Sequence, residues 1–122
     1  RRGFSEFLLL GAIGQRLDHT LGNVSILLML DKAGRRSMIV DDYSEMSLVG
    51  QAPAYIDGSF SYFSGLNISG KAEGVTIEGA KYPLKDAVIS CDYQYGVSNE
   101  VLAGERAVVS VADGRLLLIK VF

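Results

Sequence analysis

Cysteine is nearly missing from this chain: Cys91 stands alone. No internal disulfide can form, and the expected compartment is reducing and cytoplasmic. Cys91 reads as a small buried residue of a strand. It does not read as a catalytic thiol, because the lone histidine, His19, is far away in sequence. One histidine with no other His or Cys nearby is also not a metal site. Basic clusters are missing as well. Arg1-Arg2 and Arg35-Arg36 are the only adjacent basic pairs and the formal net charge is −2, which argues against a nucleic-acid surface. No apolar run approaches the roughly 20 residues of a membrane span, and no leader peptide is recognisable. Repeats, low-complexity tracts and long linkers do not occur. The chain opens on Arg1-Arg2-Gly3-Phe4 without an initiator methionine, so a trimmed or truncated protein is expected.

What is present suffices for a real core: 122 residues, 48% hydrophobic and 21% charged. Residues 6 to 13 form a continuous apolar run, the pattern of a strand buried on both faces of a parallel sheet. No βαβ unit is recognisable beside it in this chain, so its partner is expected elsewhere, for instance in a second subunit. Leu17, Leu21, Val24 and Leu28 fall at helical spacing, and Leu27, Met29 and Leu30 widen the stripe. A helix over 17–31, buried on more than one side and stopped at Gly34, is predicted.

From residue 37 the period becomes two. Strands are expected over 37–41, 45–51, 54–56, 59–63, 75–78 and 87–91, with another beginning at Asn99. Residues 70 to 74 read as a loop. The clearest hairpin signal runs from Arg106 to Phe122 around Asp113-Gly114, with Leu117, Ile119 and Val121 on one strand face. Short strands with turn signals every ten residues or so imply a mainly β fold. An antiparallel, jelly-roll-like β-sandwich is preceded by one strand and one helix of α/β type. The expected domains are 1–36 and 37–122.

Three motifs stand in order. The first is Gly11-x-x-Gly14-x-Arg16-Leu17-Asp18-His19-Thr20-Leu21-x-Asn23, at the junction of strand and helix. The second is Gly79-Ala80-Lys81-Tyr82-Pro83-Leu84, and the third is Gly96-Val97-Ser98-Asn99-Glu100. Together they resemble the signatures of thiamine pyrophosphokinases. The resemblance implies transfer of a pyrophosphoryl group from ATP to the hydroxyl of thiamine, with Mg²⁺. It also implies a homodimer in which the β-sandwich of one subunit faces the ATP half of the other. The family's N-terminal half, with its acidic Mg-ATP cluster, has no counterpart ahead of residue 11, so the chain alone is expected to be inactive. Gln15 replaces a usual glycine, and Gly22 interrupts the helix at about 1 kcal/mol relative to Ala.

Under this resemblance Arg16 and Asp18 are the catalytic candidates. A guanidinium grips phosphate oxygens with parallel hydrogen bonds, and a carboxylate either holds Mg²⁺ or accepts the hydroxyl proton. The plainer alternative is an Asp at a helix start with Arg16 as its ion pair. His19 and Asn23, four apart, are expected to support the turn from the helix face. Ser98, Asn99 and Tyr82 are the thiamine-binding candidates. Asn offers both a donor and an acceptor to an aminopyrimidine edge, and an aromatic face attracts a cationic thiazolium. Tyr93 and Tyr95 are candidates for a ligand wall or a dimer contact. A different class of function is a non-enzymatic β-sandwich that binds a small heteroaromatic ligand or a protein.

Overall fold

Sixteen residues without proline, Leu17–Lys32, form helix α1. It ends where predicted: the Gly34 N–H donates to the Asp31 carbonyl at 3.0 Å, closing the last turn. The computed structural model describes residues 6–10, 17–34, 36–40, 44–50, 52–68, 70–90 and 96–122. Leu27 is fully buried and anchors the helix. Met29, expected in the buried stripe, is instead 60% exposed. Ile26, one turn before Met29, is also at the surface, so the apolar residues of this helix are not all packed inside.

The chain divides into two compact units, Arg1–Leu48 and Val49–Phe122. In the first, β1 (Glu6–Leu10) pairs in parallel with β2 (Arg36–Val40), from Glu6↔Arg36 to Leu10↔Val40. This corrects the expectation that the leading strand lacks a partner within the chain. Parallel neighbours need a long crossover, and α1 supplies it. The segment whose period of two suggested the start of the sandwich is therefore the second strand of a βαβ unit. β3 (Ser44–Val49) then pairs antiparallel with β2, Ile39 opposite Met46. The observed division thus places β2 with the helix, whereas the sequence reading drew its line at residue 36.

The second unit holds β4 (Ala54–Ile56), β5 (Tyr62–Leu66), β6 (Lys71–Glu78), β7 (Leu84–Ser90), β8 (Gly96–Asn99), β9 (Ala107–Ser110) and β10 (Leu116–Val121). β5 lies between β10 and β8; the other strands run in the order β4-β9-β6-β7, every pairing antiparallel. Phe63, Leu116 and Leu118 from the first group meet Ile56, Ile77, Ile89 and Val109 from the second in one buried cluster. This is the mainly β, antiparallel, sandwich-like architecture expected. Each buried Leu, Ile or Phe contributes roughly 1.5–3 kcal/mol.

Three local expectations change. The 70–74 segment is not a loop but the start of β6. Its glycines mark a strand entry and an irregularity, where the register shifts between Ala72 and Val75. The strand expected to begin at Asn99 in fact ends there. The Arg106–Phe122 segment is not a hairpin: β9 pairs with β4 and β6, and β10 with β5. Gly114 has φ +90, and a Cβ there would sit 2.4 Å from the Lys71 carbonyl oxygen. The turn is pressed against β6 and carries the chain from one sheet to the other. As a result Leu116 and Leu118 enter the core, and Lys120, on their side of the strand, lies over the Phe60 ring at 4.8 Å.

Asp57-Gly58 is a turn, as predicted, but it also joins strands that do not pair with each other. The Ser59 hydroxyl and N–H donate to the Asp57 carboxylate and hold its pKa below the usual value. Among the described residues no helix is long and apolar enough to cross a membrane.

Candidate functional site

The second and third motifs lie far apart in sequence, yet they meet side by side. After β6 the chain runs through Gly79, Ala80, Lys81 and Tyr82. After β8 it runs through Glu100, Val101 and Leu102. Ala80 and Val101 form an isolated antiparallel bridge. The Lys81 N–H donates to the Glu100 carbonyl at 2.8 Å, and the Leu102 N–H to the Gly79 carbonyl at 3.0 Å.

Asn99 fastens this junction. It is only 2% exposed. Its Oδ1 accepts from the Tyr82 N–H and the Glu100 N–H, each at 2.9 Å, and its Nδ2 donates to the Tyr82 carbonyl at 2.7 Å. A buried amide must satisfy its polar atoms, and Asn99 does so with two bonds to the backbone of the opposite motif and one to the neighbouring Glu100. Its amide therefore holds Tyr82 in place rather than standing open at the surface.

Tyr82 itself is 56% exposed. The Lys81 ammonium lies 5.4 Å from its ring centroid, within cation–π range, and reaches Glu100 at 3.8 Å. Both ends of that ion pair are exposed, so it adds little stability. A flat cationic heterocycle stacking on Tyr82 would have to share the ring with Lys81 or displace it.

Ser98 is exposed and has φ +56, uncommon for a residue with a side chain. The strand pairs Phe63↔Asn99 and Gly65↔Gly96 leave Val97 and Ser98 opposite Ser64 alone. This is a β-bulge, a device that re-aims a side chain out of the ladder. The Ser98 N–H donates to the Ser64 hydroxyl at 2.8 Å. Nothing in the sequence marks Ser64, which sits in a run of alternating serines and aromatics.

The structure thus brings Tyr82, Ser98 and Asn99 together. The catalytic candidates and their supporting residues belong to the first unit, residues 1–48. Asp18, His19 and Asn23 fall in the first two turns of α1, where the structure describes the backbone alone. Arg16, Cys91, Tyr93 and Tyr95 lie outside the described residues. Among the described residues no group of three His, Cys, Asp or Glu side chains converges on a metal position.

The family model of the thiamin pyrophosphokinase vitamin B1 binding domain matches residues 54–116, just over half of the chain. Over 112 residues the chain is 29% identical to the thiamine pyrophosphokinase of Bacillus subtilis, covering 90% of this chain and 52% of that one. The crystal structure of the Bacillus subtilis enzyme superimposes with a TM-score of 0.85 at 25% identity, over 96% of this chain and 55% of that one. That of the thiamin pyrophosphokinase from Geobacillus thermodenitrificans gives 0.83 at 30% identity, over 99% and 56%. The chain spans about half the length of the relatives it matches. The matched residues contain the whole Tyr82–Ser98–Asn99 junction, and on these grounds the chain belongs to the thiamin pyrophosphokinase family through its vitamin B1 binding domain.

Proposed function

We propose that this chain is the thiamine-binding portion of an enzyme that transfers the pyrophosphoryl group of ATP to the hydroxyl of thiamine. The hydroxyl oxygen forms the new bond to the β-phosphorus. The bridge to the α-phosphate breaks, AMP leaves with the bridging oxygen, and the hydroxyl proton passes to a base. Ser98 and Tyr82 contact thiamine, the first by its hydroxyl and the second by its ring face; Asn99 sets their positions. The observation that carries this reading is the fastening of the Tyr82 motif to the Ser98 motif by two hydrogen bonds between one buried amide and the Tyr82 backbone, with a third bond holding that amide to Glu100.

In this proposal the ATP-binding catalytic domain, expected over 1–36, extends through the first unit to Leu48, and the second unit is the thiamine-binding domain of a cytoplasmic homodimer. Arg16 meets the moving phosphate, and Asp18 either receives the hydroxyl proton or holds Mg²⁺. His19 and Asn23 support that turn. The remaining ligands for Mg²⁺ and ATP come from side chains beyond those described. In this proposal the 122 residues, which span about half the length of the relatives they match, bind thiamine without turning it over.

Calorimetric titration with thiamine tests the binding. A saturable one-site isotherm is expected, and its absence would refute the assignment. An assay for thiamine diphosphate, with ATP and Mg²⁺ supplied, should show no product from the 122 residues; robust turnover would contradict the division of labour proposed. Tyr82→Ala is expected to weaken thiamine binding about tenfold, as loss of an aromatic face to a cation predicts. Because the side chain is largely exposed, the melting temperature should move little. An unchanged affinity would remove Tyr82 from the site.

A further inference from the structure

We propose that Ser64 is a positioning residue for thiamine: its hydroxyl holds the Ser98 amide within the β-bulge and thereby sets the direction in which Ser98 meets the ligand. This rests on the reading of Ser98 as a thiamine contact. A bulge leaves an amide without its ladder partner, and an unpaired N–H favours a slip back into register. The Ser64 hydroxyl takes the place of the missing carbonyl at 2.8 Å.

The left-handed backbone at Ser98 (φ +56) is of a kind that persists only when its surroundings over-determine it. Here it is held on both sides. Asn99, the next residue, is fixed by its buried amide, and Ser98 itself is fixed by Ser64. Neighbours Phe63 and Gly65 are buried while Ser64 is only partly so, as the alternation of β5 requires. The hydroxyl can thus be altered without opening the core. The thiamine site then has two supports of different origin: a side chain from the Gly96–Glu100 motif, and one from a central strand that no motif includes.

Three variants of the full chain test this: Ser64→Ala, Ser64→Thr and Ser64→Val. Two readouts are taken on each, amide hydrogen exchange at Ser98 by NMR and the Kd for thiamine by calorimetry. Ser64→Ala should speed Ser98 exchange at least tenfold and raise Kd about tenfold, with Phe63 and Asn99 protection retained. Ser64→Thr, which keeps the hydroxyl, should restore both values to within about twofold. Thr and Val share a shape that strands accept, so Thr against Val isolates the hydroxyl even if the alanine variant does not fold.

Parental affinity in Ser64→Ala or Ser64→Val, or loss of affinity in Ser64→Thr equal to that in Val, overturns the proposal. If the parent chain binds no thiamine, the functional reading fails. The exchange rate then decides the rest: unchanged Ser98 protection in the Val variant overturns the hold on the bulge, and lost protection upholds it.

Discussion

Asn99→Leu is expected to lose about 3 kcal/mol of stability, and thiamine binding with it. Leucine fills nearly the same volume but neither accepts nor donates. Three bonds vanish at once: those from the Tyr82 N–H and the Glu100 N–H, and that to the Tyr82 carbonyl. Each is worth about 1 kcal/mol net, more where the abandoned group stays out of water. Denaturant midpoints measure the loss, and calorimetry measures the binding. A variant within 1 kcal/mol of the parent would show that the junction is held by the Ala80–Val101 bridge instead.

Asn99→Asp sharpens the test. It keeps an acceptor for both N–H groups, but at neutral pH it places a carboxylate where only 2% of the residue is exposed and points one oxygen at the Tyr82 carbonyl. Burial and that repulsion both raise the pKa of such a carboxyl in the folded state. The folded state then holds a proton more firmly than the unfolded one, so its contribution is present at low pH and lost as pH rises through the folded value. The aspartate variant should therefore lie closer to the parent near pH 4 than near pH 7.

Gly79→Ala is expected to be more damaging still, by about 4 kcal/mol, from left-handed strain and overpacking together. The backbone at Gly79 has φ +74. A Cβ there would lie 2.4 Å from the Arg106 carbonyl oxygen and 3.3 Å from the Ala107 Cα. Both are backbone atoms, and Ala107 is fully buried in β9, so neither can step aside as a flexible side chain would. The chain turns out of β6 at this point, and the Gly79 carbonyl also accepts from Leu102. Gly58→Ala is the control. Its added Cβ meets nothing within 4 Å, and its effect should stay within about 0.5 kcal/mol. A thermal melt should separate the two by roughly 10–20 °C. Equal melting temperatures would mean that the approach of Arg106 to Gly79 is soft.

The two tests bear on what was legible beforehand. The glycine of Gly79-Ala-Lys-Tyr-Pro-Leu and the asparagine of Gly-Val-Ser-Asn-Glu were visible as motif residues, and the helix and most strand positions followed from periodicity. Their physical tasks were not visible. Asn99 reads in the sequence as a ligand contact, because an amide's choice of partner depends on a segment seventeen positions away. Leu116-Leu117-Leu118 has no alternation to say which face is inside. Asp113-Gly114 carries the local chemistry of a hairpin, and only the close approach of Lys71 shows that it is a corner between sheets. Ser64 was illegible for a similar reason: a serine among serines acquires a role only once a bulge is placed opposite it. The parallel β1–β2 pair is hidden in the sequence because period two does not distinguish parallel from antiparallel neighbours in so short a strand.

The arrangement of β5 and β10 also sets an order of events during folding. Their partners, Leu66↔Leu117 through Tyr62↔Val121, are more than fifty residues apart in sequence, and β4 must likewise wait for β9. Closing loops of that length before any contact is gained gives a high contact order and places such chains among the slower folders. On a ribosome β5 emerges well ahead of both its partners, β8 and β10, and until β8 follows Phe63 has no strand of its own sheet to lie against. The sandwich is therefore most exposed to mispairing late in its own synthesis, and a holdase that shields β5 during that interval would raise its yield without altering its final stability.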